Sequence, residues 1–383
     1  MKRLAFIVVL IVAFAAHESH MKACTSAIIS ADATLDGRPL LWKNRDTSAT
    51  DNKVEAVFPA DGRLGYVALY NASDKECKEA WIGMNECGFA IMNTASYNLN
   101  SPKEQLPASQ MDKEGEVMTL ALGSCRTVDD FERLLVELPK PLGVEANFGV
   151  IDALGNGAYF ETGNYRFVRF DVKDAPEGYL VRTNYSHSGR AGEGYGFTRE
   201  KDAISLLDNA AKAGAVTPEL LTEALSRSFY NATLQKDFSR ESGYVVDEGF
   251  IPRYKTTSTV VIEGCYPQQS VDDISKTALA DQYIMWTALG YPPCARIVPV
   301  WCAPDGVHES LRGIGPEGRS PACDEAKALR DEVFRSKGGE KSVYIDMKRL
   351  FNDNGTGICQ KLREENLEIY RVIKAKRPKR IEL

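Results

Sequence analysis

Between residues 24 and 98 the chain runs in short apolar stretches, many of them alternating with polar positions, the pattern of buried and half-buried strands. These stretches lie at 25–29, 39–42, 65–70, 80–83 and 88–92. Asp36-Gly37 between the first two is a hairpin signal, and Asn85-Glu86-Cys87-Gly88 is a turn between the last two. Residues 99–113 are polar, include Pro102 and Pro107, and predict a surface loop. Thr127 then caps a predicted helix over 128–138, with Asp129 and Asp130 well placed in its first turn. A second group of strands, at 147–152, 157–161, 166–171 and 178–182, precedes helical periodicity over 198–213 and 217–229. Strands return at 258–263, 282–288 and 297–301, and helices at 322–336 and 356–374. With no internal repeat and no break in composition, this order predicts an α+β fold built on antiparallel sheets.

The first residues read differently. Met1-Lys2-Arg3 is a positive leader, residues 4–16 are apolar throughout, and Ala13-Phe14-Ala15 has the small-x-small spacing of a cleavage signal. The run is short for a hydrocarbon core roughly 30 Å thick, so the expectation is export without stable membrane insertion. Residues 1–23 are thus a signal peptide with a short pre-segment, and 24–383 a single domain with a helical C-terminal part. The expected location is periplasmic or extracellular. Lys plus Arg number 47 against 53 Asp plus Glu in 383 residues. An acidic chain offers no global attraction for nucleic acid.

Nine cysteines in an exported chain leave at least one outside any intramolecular pair. Cys77 with Cys87, and Cys294 with Cys302, are close enough in sequence to staple neighbouring strands, although spacing does not establish pairing. No CxxC occurs, and His187 and His308 are the only histidines after residue 23, a poor basis for a zinc site. Neither a metal nor an organic cofactor is expected.

Cys24 carries the candidate chemistry. Cleavage after Ala23 would give one residue both a thiol, with an ordinary pKa of about 8.5, and an α-amine, at about 7.7–8.0. Such an amine can take the thiol proton, directly or through one water, and later protonate a leaving nitrogen. No histidine is needed, and the uncut chain is inert because its Cys24 nitrogen is an amide. Lys43, Arg45 and Asp46 end the strand expected beside Cys24, where a carboxylate would hold the ammonium and a cation the thiolate.

These residues resemble a known family. Cys24-Thr25-Ser26, Asp36-Gly37 and Lys43-Asn44-Arg45-Asp46 are similar to the first hairpin of the N-terminal nucleophile (Ntn) amide hydrolases. That family includes choloylglycine hydrolase, penicillin V acylase and the acyl-coenzyme A:6-aminopenicillanic acid acyltransferases. The resemblance is strongest to the penicillin acyltransferase-like branch. The segment 85–93, ending in Asn93, resembles the family's oxyanion segment, Arg182-Thr183-Asn184 its second asparagine, and Pro252-Arg253-Tyr254 its distal arginine. The likeness runs from Cys24 to about Gly264.

It implies a four-layer αββα sandwich with two stacked antiparallel sheets. It also implies a thiol nucleophile at Cys24, freed by signal peptidase or by autoproteolysis, with Asp46 orienting its amine. Asn93 and Asn184 would donate to the oxyanion, and Arg253 would support the charge network. The family's arginine falls at Lys43, and Arg45 stands where an apolar residue is usual, so the cation at the thiol is either Lys43 or Arg45. The implied activity is hydrolysis of a linear amide of a small acylated amine, with acyl transfer as a close variant. The acyl group, the amine and any homo-oligomerisation stay open.

Two other readings compete. A cysteine after a signal sequence can receive lipid, which would make the chain a lipid-anchored ligand-binding protein without catalysis. An Ntn-type dipeptidase would share the nucleophile but need a pocket for a charged substrate amine. His187 offers a Cys-His pair, although its loop setting between Ser186 and Ser188 favours a solvated side chain.

Overall fold

A computed structural model describes residues 23–270, 283–336 and 342–376. The leader expected at the N-terminus, apart from Ala23, lies outside these residues. Two large sheets dominate. The first has the order β10-β1-β2-β11-β12-β13, formed by β1 (Thr25–Ile29), β2 (Leu40–Asp46), β10 (Tyr179–Arg182), β11 (Thr256–Glu263), β12 (Ile284–Leu289) and β13 (Val298–Val300). The second is a seven-stranded meander of β3 (Asn52–Val57), β4 (Tyr66–Asn71), β5 (Ile82–Asn85), β6 (Ala90–Ala95), β7 (Ala146–Ile151), β8 (Gly157–Thr162) and β9 (Phe167–Asp171). Every neighbouring pair in both sheets is antiparallel.

Side-chain alternation sorts the layers. Ile28 of β1, Leu41 of β2 and Val260 of β11 meet Val67, Met84 and Met92 of the second sheet in a shared core. The opposite faces carry helices. Ala27, Trp42 and Trp286 pack beneath Ala203 and Leu207 of α3 (Phe197–Lys212), Ala326 of α4 (Pro321–Val333) and Tyr370 of α5 (Ile358–Lys376). On the other side Ala68, Phe148 and Phe160 receive Val117 and Met118 of α1 (Glu114–Ser124) and Phe131 of α2 (Val128–Glu137). Phe131 meets Phe148 and Phe160 edge-on at 5.6 and 5.2 Å. Each such buried ring contributes about 1.5–3 kcal/mol by leaving water. The result is a four-layer αββα sandwich.

Local signals explain several boundaries. Thr127 Oγ1 accepts from Asp130 N at 3.1 Å, and an Asp130 oxygen accepts from Thr127 N at 3.0 Å, a capping box at the expected start of α2. Gly88, at φ +79°, turns β5 into β6, and a Cβ there would lie 2.8 Å from that of Ala153.

Other expectations need correction. The hairpin expected at Asp36-Gly37 forms, with β1 and β2 antiparallel and Gly37 at φ +78°, but its connection also contains a 3-10 turn at Ala31–Ala33. Of the helix expected over 217–229, a π-helical segment at Leu220–Leu225 is the main part. Ser226 Oγ there accepts from Trp42 Nε1 at 2.8 Å, which ties the irregular turn to β2. The helix expected to reach residue 336 ends at Val333, and Phe334–Ser336 joins a small sheet with Tyr244–Val246 and Val343–Asp346. No disulfide joins Cys77 to Cys87 or Cys294 to Cys302. Cys294 packs in the C-terminal cluster, whereas Cys302 faces the core between the sheets, so different packing layers hold them.

Candidate active site

Strand register assembles the site. Thr25 pairs with Asn44 and Ser26 with Arg182, so the two registers, continued by one step and by two, place Cys24 between Arg45 and Asn184. Across β2, Asp46 faces Thr256 at the start of β11. The first half of β2 is Leu40-Leu41-Trp42 and the second Lys43-Asn44-Arg45-Asp46, yet all seven residues are buried. Buried charges persist only with partners, and those partners define the site.

Asp46 is clamped. Arg253 donates to its Oδ2 from Nε at 3.0 Å and Nη2 at 2.6 Å, and Thr256 donates to Oδ1 at 2.6 Å. Arg253 Nη2 also donates to the Ala23 carbonyl at 3.2 Å, so one guanidinium links Asp46 to the peptide bond before Cys24. Burial is the largest influence on the Arg253 pKa and lowers it, but the charge and hydrogen bonds of Asp46 together with the charges of Asp247 and Cys24 carry the net direction upward. The Cys24 thiol points at the Asp46 carbonyl, 3.8 Å away.

Lys43 and Arg45 both point from β2 into the space between the sheets and do different things there. Lys43 Nζ donates to Trp81 O and Asn93 Oδ1, each at 2.9 Å. An ammonium only donates, so it must hold the oxygen of the Asn93 amide and turn Nδ2 away. Arg45 donates to Asn52 Oδ1 at 2.5 Å and Asn71 Oδ1 at 2.8 Å, and lies over the Trp81 ring at 4.9 Å. Burial pulls its pKa down to about 10, against an opposing pull from the charge of Cys24. Cys24, Lys43, Arg45, Asp46, Trp81 and Asn93 line one narrow cleft with a free volume of about 10 Å³.

Asn184 and Arg253 lie outside that lining and connect to Cys24 through their neighbours. Asn184 Nδ2 donates to Ala95 O at 2.9 Å, and its Oδ1 accepts from Arg199 at 2.9 Å. Arg199, absent from the sequence-based candidates, also donates to the Cys24 carbonyl at 2.6 Å and to Thr25 Oγ1 at 2.7 Å. Burial and the like charge of Arg253 pull its pKa down to about 9. It stands in the first turn of α3, where the helix dipole disfavours a cation, and that was its one visible signal. His187 pairs with Glu200 at 2.7 Å rather than with Cys24. Burial pushes Glu200 up to about 7. Among the described residues no group of three or more His, Cys, Asp or Glu is gathered that could hold a metal ion.

No protein-family model and no curated protein matches the chain. Solved structures with a similar chain path include an N-acylethanolamine-hydrolyzing acid amidase ortholog from Caenorhabditis elegans. It is 14% identical, covers 68% of this chain and 98% of that one, and has a TM-score of 0.43. A mutant conjugated bile acid hydrolase from Clostridium perfringens is 12% identical over 73% and 92% of the two chains, with a TM-score of 0.42. Penicillin V acylase from Agrobacterium tumefaciens is 11% identical over 73% and 86%, with a TM-score of 0.36.

Proposed function

We propose that this chain is an exported cysteine amidase that cleaves a linear amide bond through an acyl-enzyme on Cys24, once the residues before Cys24 are removed. The observation that carries the reading is the clamp at the Ala23–Cys24 bond. Arg253 touches both the Ala23 carbonyl and Asp46, and the thiol faces the backbone of that same Asp46.

Release of Cys24 replaces an amide with an α-amine beside a fixed carboxylate. The amine takes the thiol proton, and sulfur attacks the substrate carbonyl, with Arg45, Arg199 and Arg253 supplying positive charge around the thiolate. Asn93, its oxygen held by Lys43, offers Nδ2 to the oxyanion. Lys43 is then a positioning residue for that amide, and Arg45 the cation coupled to Cys24. One oxyanion donor contributes about 2.7–4 kcal/mol in comparable sites. Asn184 lies outside the cleft lining, its Nδ2 engaged by the Ala95 carbonyl and its Oδ1 by Arg199, so Asn93 is the oxyanion donor of this reading. The ammonium next protonates the leaving amine, and water, deprotonated by the regenerated amine, hydrolyses the thioester. A second amine in place of water gives acyl transfer. The Arg253 contact polarises the Ala23 carbonyl, which suits autocatalytic removal of the pre-segment.

Expression of the whole chain with export, followed by intact mass and a screen of acylated amines, tests this. The expected product starts at Cys24 with unmodified mass and cleaves amides, and Cys24→Ala does not. Cleavage by a protein that keeps residue 23, or a mass increment of acyl chains on Cys24, contradicts it.

A further inference from the structure

Side chains alternate along β2, so Lys43 and Arg45 face the second sheet while Trp42 and Asn44 face the helices. Trp42 Nε1 donates to Ser226 Oγ at 2.8 Å and Asn44 Nδ2 to Ser226 O at 3.2 Å. The next residue, Arg227, lies at the floor of a pocket of about 400 Å³, on the opposite side of the first sheet from Cys24. That is room for a small molecule. Glu223 joins Arg227 there from the π-helical segment, a kind of irregular turn that frequently marks functional sites. Leu206, Phe229 and Phe351 supply apolar walls, and the more exposed Asp237 and Arg363 add opposite charges.

Arg227 and Glu223 are 4% and 5% exposed, and they form an ion pair whose hydrogen bonds are incomplete. Arg227 Nη1 stands 3.2 Å from Glu223 Oε2, yet neither atom makes a hydrogen bond, and Arg227 Nε has no partner either. Both side chains are fixed from behind. Arg227 Nη2 donates to Ala295 O at 2.8 Å, and Glu223 Oε1 accepts from Asn366 at 3.0 Å. The Cys359 thiol beside Arg227 is only a weak acceptor. Buried polar atoms without partners are costly, so a group that completes them is bound in preference to one that does not. It must present an acceptor to Arg227 and a donor to Glu223 along one edge. An anion would meet the Glu223 carboxylate, and a cation the Arg227 guanidinium. We infer that this pocket is a second binding site, which takes a small neutral molecule carrying C=O and N–H side by side. A primary carboxamide, a lactam and a urea all offer that edge, and an apolar body then lies against Phe229 and Phe351. The inference does not depend on the role of Cys24.

Benzamide, N-methylbenzamide, benzoate and benzamidine share a ring and differ at that edge. N-methylbenzamide keeps the carbonyl but turns its N–H away, because a secondary amide is trans. Calorimetric titration of the whole chain carrying Cys24→Ala, which removes turnover, reads the binding. A pH of about 8 favours the Glu223 carboxylate, since burial raises its pKa although Arg227 and Asn366 pull it down. Benzamide is expected to bind about tenfold or more tightly than each of the other three. Adding Arg227→Met should abolish that binding. Ala224→Trp, which fills the pocket from a half-buried position and leaves the ion pair intact, should abolish it too. Benzamide binding that survives in a folded variant of either kind overturns the assignment. Equal affinity for benzamide and N-methylbenzamide overturns it, as does the absence of benzamide binding at about 10 mM.

Discussion

Arg38 and Arg45 flank opposite ends of β2, and both are buried. Arg38 contacts two carboxylates, Asp36 and Glu263, and their charge carries its pKa upward against burial. Arg45 contacts two neutral amides, and burial carries its pKa down to about 10. The first arrangement closes on itself and fastens the β1–β2 connection to β11. The second leaves charge pointing into a cleft beside a thiol. Arg38, just before β2, is thus bound into the fold by carboxylates, whereas Arg45, within the strand, is held by neutral amides.

The sharpest way to break this contrast is to remove each charge. Arg38→Met strands the Glu263 carboxylate in the interior, and the expected loss is about 3–5 kcal/mol in urea unfolding. Arg45→Met strands no paired carboxylate and leaves only the Asn52 and Asn71 amide oxygens without their donor, so the expected loss is smaller, about 1–3 kcal/mol. Equal destabilisation by the two substitutions would mean that Arg45 is structural too.

A smaller effect probes the carboxyl beside Arg253. Asp247 accepts from Tyr254 N at 2.8 Å, and burial pushes its pKa up to about 7 from 3.8, against the pull of Arg253. The folded chain therefore binds that proton more tightly than the unfolded chain. Its contribution to stability falls as pH rises from about 4 to about 7 and stays low above that. Asp247→Asn should raise the melting temperature at pH 8 by a few degrees and by much less at pH 4. An equal shift at both values would remove the ionised carboxylate from the explanation.

Much of the sandwich was legible because its strands carry long apolar stretches and α2 has a strong cap at Thr127. Two elements escaped for physical reasons. Edge strand β3 reads Asn-Lys-Val-Glu-Ala-Val, too polar to stand out. Helix α1 opens without a side-chain cap, and Gly115 and Gly123 interrupt its apolar face. The cluster around Cys24 was legible in its residues: Lys43, Arg45, Asp46 and Asn93 line one cleft with Cys24, Arg253 bonds Asp46, and Asn184 is joined to Cys24 through Arg199. Which cation does what was not, because Lys43 and Arg45 share a strand face and differ only in what the second sheet offers them. Arg199 lies 175 positions from Cys24, and only the packing of α3 on β1 and β10 brings it there.

Acid-quenched turnover tests the central claim most directly. The mature protein is mixed with a cleavable amide, stopped in acid within one turnover, digested and weighed. The expected result is a peptide that begins at Cys24 and carries the acyl group on sulfur, with none in Cys24→Ala. An acyl group on any other residue, or none on Cys24 while product accumulates in a burst, would contradict the account.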